Sequence, residues 1–311
     1  MITIGFCTVD RKEPLEKNLE DLRKQNLDGL PEVELIVVMN NSTRGLHEIV
    51  DRLLPTLPFK CRKLEETRQG GNFGRNRIAE EARGEIVVYT DDDLLRDPNW
   101  TREMVRAFDD PQVSSVGGRI HPVLSCPLPS WYRPRYDGVI VRYDLGDKPF
   151  FLTLDNPMPY GASMAFRRKV LETLGPFRTD LSIRPGRAIT GGETEYMIRA
   201  IRLGHRVLYS PAAVSYHPID ESRLTKANMR RQFRTWGTSW ARMNFEGEKK
   251  APQFAGAPRH LYRSMLEHAF RWLGAAVRLN EGDRFLHANE VVYCHEFIRE
   301  FRRILREEAK T

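Results

Sequence analysis

No stretch of about 18 apolar residues occurs anywhere in the chain, so a transmembrane helix is not expected. Cysteine is scarce. Cys7, Cys61, Cys126 and Cys294 are scattered, with neither metal-ligand spacing nor a paired arrangement. That argues against a disulfide scaffold or zinc module and for a reduced, cytosolic protein. The chain opens directly into Ile2-Thr3-Ile4-Gly5-Phe6, without a basic segment ahead of an apolar run. A signal peptide is therefore not expected. A Walker phosphate loop, a dinucleotide fingerprint and a nucleic-acid motif are also lacking.

What is present is an ordinary soluble composition over 311 residues, enough for one large or two modest domains. The net charge of +7 is unevenly placed. Residues 219–311 hold 18 Lys/Arg against 12 Asp/Glu, a net of +6, leaving +1 for residues 1–218. A basic tail on a nearly neutral body suits an anionic partner, or simply a solvated helical surface. Nucleic acid is not expected as that partner, because the excess is modest.

The informative stretch is Glu85 to Asp93, where Ile86 to Tyr89 run into Asp91-Asp92-Asp93. β-Branched and aromatic content predicts a short strand. A buried strand has no use for three acids, so they lie past its end. Hard oxygen ligands there suit Mg²⁺ or Mn²⁺ on a diphosphate. The triplet alone fits a solvated, helix-capping turn equally well.

Ahead of it, strands are predicted at 2–7, 33–39 and 61–64. Helices are predicted from Pro14 to about Gln25, at 45–54 and at 75–82, the last after the glycine-rich loop Gln69 to Gly74. This alternation predicts a doubly wound, mostly parallel α/β sheet whose polar loops share one edge. Beyond it come a helix near 98–108, a strand at 113–120 and a proline- and tyrosine-rich excursion over 122–148. In that excursion Trp131, Tyr132 and Tyr136 are placed either to stack on a sugar or to pack. Strand-like segments follow at 150–154 and after Met158, then a short helix over 167–174 and a loop over 180–190. A helix starts at Gly192, and two short strands at 206–209 and 214–216 precede His217. Glu193 and Glu195 open the helix at Gly192, where the dipole favours carboxylates. Either is a cap or a general base. Three basic, amphipathic helices are expected in the tail. The first carries Arg230, Arg231 and Arg234 beside Phe233, Trp236 and Trp240, suited to an anionic membrane surface or to packing.

Taken together these segments resemble a family-2 inverting glycosyltransferase with the type-A nucleotide-sugar-binding fold. The likeness runs from about Ile4 to His217. Cys7-Thr8-Val9-Asp10-Arg11 is similar to the family's first-strand loop, and Val37 to Ser42 to the end of its second strand. Gly74-Arg75-Asn76 with Ala82-Arg83-Gly84-Glu85 is similar to the run before the metal strand. Asp91-Asp92-Asp93 fits the Asp-x-Asp motif. Tyr160 to Arg168 resembles the acceptor-side segment, and Gly192-Glu193-Thr194-Glu195 the motif that supplies the base, with Glu193 in an aspartate's place. Gly204, Pro211 and His217 match the closing pattern.

The resemblance implies a catalytic domain over 1–218, with a donor half to about 120 and an acceptor half to 218. A basic helical extension then covers 219–311. It implies a nucleoside-diphosphate-sugar donor, UDP by family habit, contacted by Thr8, Asp10, Asn40, Arg75, Asp91 and Asp92. Mn²⁺ or Mg²⁺ would sit on Asp91, Asp93 and His217. Glu193 would be the base, and Gly161, Ala162, Gly192 and Glu195 would line the acceptor side. The product would be a glycan, polysaccharide or glycoconjugate, made in the cytoplasm or at the inner membrane face. Homo-oligomers fit this reading. So does a non-catalytic nucleotide-sugar-binding module that keeps the fold and transfers nothing.

Overall fold

The computed structural model describes residues 1–183 and 189–310. The chain forms two compact units: Met1–Val123, Val141–Thr179 and Gly192–Pro218 make one, and Leu124–Ile140, Asp180–Gly191 and Ile219–Thr311 make the other. The loop expected over 180–190, with Pro185 and Gly186, lies in part outside the described residues.

The first unit begins β1 (Ile2–Thr8), α1 (Lys12–Leu22), β2 (Val33–Asn40), α2 (Arg44–Leu53), β3 (Lys60–Glu66), α3 (Gly71–Glu81) and β4 (Ile86–Thr90). It continues with β5 (Leu95–Arg96), α4 (Trp100–Arg106), β6 (Ser115–Leu124), β7 (Phe150–Phe151), β8 (Ser163–Arg167), α5 (Arg168–Leu174), α6 (Gly192–Arg202) and β9 (Val207–Ile219). The sheet order is β3-β2-β1-β4-β8-β6-β9-β5, with β7 also on β9. The four strands β3, β2, β1 and β4 are parallel. β8 joins antiparallel to β4, with Ser163 opposite Thr90. That reversal brings the residues just before β8 to the edge where β1, β2 and β4 end.

β1 and β2 are buried on both faces, as parallel strands between helices are. Leu35, Val37 and Met39 face a core shared with Leu15, Leu19 and Trp100, while Ile36 and Val38 face one shared with Ile78, Tyr89 and Phe166. α3 starts within the glycine run, four residues earlier than its propensity suggests. Asn40 accounts for this. Its Oδ1 accepts from the Gly70 N–H at 2.8 Å, and its Nδ2 donates to the carbonyl of Arg68 at 2.8 Å. Tertiary anchoring thus outweighs the cost of glycine in a first turn. Gly74 then lets the helix lie on β1, since a Cβ there would stand 2.5 Å from the Cβ of Cys7.

Two strands expected at 206–209 and 214–216 are one continuous β9, and His217 lies within it rather than beyond it. β7 pairs with Leu208 and Tyr209, and β5 with Ser215 and Tyr216. Pro211 falls in the gap between these two partners on that edge of β9.

The second unit contains α7 (Lys226–Met243), α8 (Phe245–Lys250), β10 (Gln253–Phe254), β11 (Ala257–Pro258), α9 (Arg259–Val277) and α10 (Glu281–Glu308). α7 and α9 both pack along α10. Phe233 of α7 is fully buried with Tyr136 and Phe285, and Trp236 lies against Phe233 with ring centroids 5.0 Å apart. Trp131, Tyr132 and Tyr136 join the same cluster. Of the two readings open to these aromatics, contact with a membrane or sugar ring and packing, packing describes them: they hold the second unit together.

α9 and α10 also meet through two histidines, His268 Nδ1 and His287 Nδ1, 3.1 Å apart. Burial pushes both rings below their ordinary value of 6.5, and for His287 the neighbouring His268 adds to the shift. The folded state therefore prefers neutral rings. This contribution is complete above the ordinary value and is lost as pH falls through it. Between about pH 7.5 and about pH 5.5 we expect the change in Tm to be less favourable in the wild type than in His268→Gln. Thermal unfolding of both proteins across that range checks it.

Candidate functional site

The ends of β1 and β4 and the start of β8 bound one crevice, and the three acids project at the end of β4. Asp92 is almost fully buried, 1% exposed. Its Oδ2 accepts from the Thr8 hydroxyl at 2.6 Å. Its Oδ1 lies 2.6 Å from Arg11 Nη2, an ion pair whose angle falls outside hydrogen-bond geometry. Burial pushes the Asp92 carboxyl up to about 7, against the pull of Arg11 and Thr8; Asp93 and Asp91 add to the rise. Arg11 also binds Asp93. Burial works against the charge on Arg11, but the three aspartates outweigh it and raise its pKa.

Asp91 faces the other way. Its Oδ1 stands 3.6 Å from Arg75 Nη2. Arg75 comes from the first turns of α3, where Asn72 Oδ1 receives a bond from its Nη1 at 2.9 Å. The guanidinium lies over the backbone of Gly161, where a Cβ would come within 2.4 Å of Nη2. A side chain there would have to push the guanidinium aside. Burial lowers the pKa of Arg75, but the carboxylates of Glu193 and Asp91 overcome it and the net shift is upward. Asp91 is itself pushed up, by burial first and then by Asp93 and Glu193 against Arg75. Glu193 is thus brought within electrostatic reach of Asp91 and Arg75. Among the described residues no hydrogen bond or ion pair occupies its carboxylate.

The other expected site residues divide. Glu195 is held by Arg199 at 3.1 Å, and Arg199 also donates to the carbonyls of Leu174 and Pro176, so this pair fastens α6 to the end of α5. Asn40 is buried with both ends of its amide taken by the 66–70 loop. Asp10, at φ +43°, accepts from the Thr43 N–H at 2.7 Å and so caps α2 from the neighbouring strand end. That bond holds its carboxyl below the usual range. Gly192 is the buried first residue of α6 and Ala162 lies in the core.

Of the three expected metal ligands, two meet. His217 Nε2 is 3.7 Å from Asp93 Oδ1. Asp91 turns to Arg75 instead. Among the described residues no three His, Cys, Asp or Glu side chains form a closed metal-holding group. A carboxylate beside an imidazole fits an open Mn²⁺ site, whose remaining positions fall to diphosphate oxygens and water.

Three positioning groups carry little sequence signal. Arg11 stands in the loop after β1 with nothing in its neighbours to mark a role, although three adjacent acids demand a nearby cation. Arg96, wholly buried, donates to Asn18 Oδ1 at 2.7 Å, Thr90 Oγ1 at 2.6 Å and Asp21 Oδ2 at 3.0 Å, and reaches the Asp91 carbonyl at 3.3 Å. Asn76 exchanges two bonds with Phe177, at 2.7 and 3.0 Å, tying α3 to the segment after α5.

Known proteins share this fold. The chain is 22% identical over 228 residues to a glucosyl-dolichyl phosphate glucuronosyltransferase of Haloferax volcanii, covering 71% of this chain and 70% of that protein. A mannosyltransferase from Pyrobaculum calidifontis, solved with GDP-Man and Mn²⁺, superposes with a TM-score of 0.65 at 19% identity over 96% of this chain and 86% of its own. GalNAc-T7, solved with UDP, GalNAc and Mn²⁺, gives 0.54 at 15% identity over 78% of this chain and 50% of its own. These structural likenesses establish the fold. The sequence profile of glycosyl transferase family 2 matches residues 3–175, more than half of the chain, and the chain belongs to that family.

Proposed function

We propose that this glycosyltransferase moves a sugar from a nucleoside-diphosphate sugar to an acceptor hydroxyl in one displacement that inverts the anomeric centre. The observation that carries the reading is Glu193, a carboxylate without a described partner whose charge is felt by Asp91 and Arg75. It takes the proton from the acceptor hydroxyl as that oxygen bonds to the anomeric carbon. The bond from that carbon to the diphosphate oxygen breaks, and the electron pair leaves with the nucleoside diphosphate. Arg75, kept charged by its carboxylates, faces the departing diphosphate. Thr8 and Arg11 hold Asp92, and with it the acid turn, in place. Asp93 and His217 would hold a divalent cation, which neutralises charge on the leaving group when bound. The solved neighbours carry GDP-Man or UDP with Mn²⁺, which supports a donor of this chemistry; UDP remains our choice of nucleotide.

Transfer and hydrolysis across UDP-, GDP- and dTDP-sugars, with Mn²⁺ and with EDTA, tests this. One nucleoside diphosphate should be released in a metal-dependent way, with EDTA lowering the rate by about 10²-fold or more. Absence of nucleotide binding across the panel would overturn the reading. Binding without transfer, with a full set of acceptors, would favour the non-catalytic module.

A further inference from the structure

α9 turns one face to α10 and leaves the other bare. Leu266, Phe270, Leu273 and Val277 recur at intervals of four, three and four residues, which places them on one side of the helix. All four are exposed, Phe270 at 71% and Val277 at 85%, and Leu279 follows just past the end. Scattered apolar residues on a surface are ordinary, but a continuous stripe of this length marks a contact surface. Its polar neighbours are mostly of one sign. Arg259, Arg263, Arg271 and Arg278 are exposed along the helix and its end, while Glu267 is bound to Arg263 at 2.8 Å.

Where α9 meets α7 and α10, a cavity of about 400 Å³ is lined by Lys226, Arg230, Trp272, Glu281, Arg284 and Phe285, among others. Glu281 is bound by Lys226 and also feels the charge of Arg284. Arg230 and Arg284 are both exposed. Three cations thus share one carboxylate there, and the cavity offers excess positive charge with an aromatic wall at the C-terminal half of α9.

We propose that α9 seats the second unit on an anionic phospholipid bilayer. The stripe from Leu266 to Val277 enters the headgroup–acyl boundary, and Arg230 and Arg284 take a lipid phosphate. Apolar residues on one side of a helix and arginines flanking them are what an interfacial helix requires. No helix among the described residues is long and apolar enough to cross a membrane, so the contact lies in the interface. A second copy of the chain fits the surface less well. Facing α9 with itself about a two-fold axis sets arginine against arginine with no free acid to separate them. The inference is independent of the transfer chemistry proposed above.

Co-sedimentation of the full chain with vesicles tests it, using phosphatidylcholine alone or mixed with phosphatidylglycerol. Binding is expected only to the mixed vesicles, weakening as salt rises. The combined variant Phe270→Ser, Leu273→Ser, Val277→Ser should lose it by about tenfold or more. Arg230→Glu with Arg284→Glu should lose about tenfold or more, since each cation near an anionic surface contributes about fivefold. All five positions are solvent-facing, and circular dichroism should show both variants folded. Four outcomes would overturn the proposal: no binding to either vesicle, equal binding to both, retention of inorganic phosphate without vesicle binding, or a wild-type dimer in light scattering that the serine variant converts to monomer.

Discussion

Replacing Glu193 with Gln is expected to lower kcat by about 10²–10⁴-fold, with the donor's Kd almost unchanged. The amide keeps the size and dipole of the side chain and removes only its capacity to accept a proton. Under the proposed function donor binding rests on other groups: the turn of Asp91 to Asp93, and Arg75, whose guanidinium lies over Gly161. The capping function available to a residue in the first turn of α6 does not depend on strong basicity, so fold stability should barely change. A loss confined to kcat separates a base from a structural carboxylate. Glu195→Gln supplies the comparison. Its carboxylate is engaged by Arg199, so that substitution should loosen α6 and lower Tm while leaving more activity than Glu193→Gln. Nucleoside diphosphate release and isothermal titration with donor, measured on both variants, decide the matter. A Glu193→Gln enzyme turning over near the wild-type rate would remove Glu193 from the mechanism.

Arg96→Met is expected to destabilise the first unit by about 3–5 kcal/mol, because removing one partner of a buried ion pair strands the other. Arg96 is fully buried and Asp21 partly so, 3.0 Å apart. Burial lowers the pKa of Arg96, and Asp21 works to restore it. The same guanidinium ties Asn18 of α1, Thr90 at the end of β4 and the Asp91 carbonyl into one network. Its removal leaves several buried acceptors unmatched and frees the turn that carries the acids. The variant should therefore show a lower midpoint in urea unfolding and, where still folded, weaker nucleotide binding. An unchanged midpoint would mean that the network contributes nothing net, as some buried ion pairs do.

The alternation of apolar strands with helical repeats made the parallel core from Ile2 to Thr90 legible, because each element announces itself over a few consecutive residues. The acids after Tyr89 were legible for the same reason: three carboxylates have no place inside a strand. Less legible was everything depending on which distant residues meet. The amide of Asn40 looked available for a base, yet packing turns it onto the loop that starts α3. The segments at 206–209 and 214–216 read as two strands, yet β9 runs through Pro211 as one. The aromatics of α7 suit a membrane surface or packing alike in sequence; packing takes Phe233 into the core, and the bare apolar stripe lies on α9.

Sequence alone determined the family, the strand ends that carry polar loops and the positions of Asp91 to Asp93 and Glu193, since these follow from local order and residue type. Tertiary structure decided which charge answers which. Arg11 faces Asp92 and Asp93, Arg75 faces Asp91 within electrostatic reach of Glu193, and Arg96 secures the turn through Thr90 and the Asp91 carbonyl. Ion pairs and hydrogen bonds join residues far apart in this chain: the Asn76–Phe177 bonds span 101 positions and the Arg135–Glu290 pair spans 155. No local pattern encodes such a pairing; only the packing of α1, α3 and β8 around the ends of β1 and β4 brings it about.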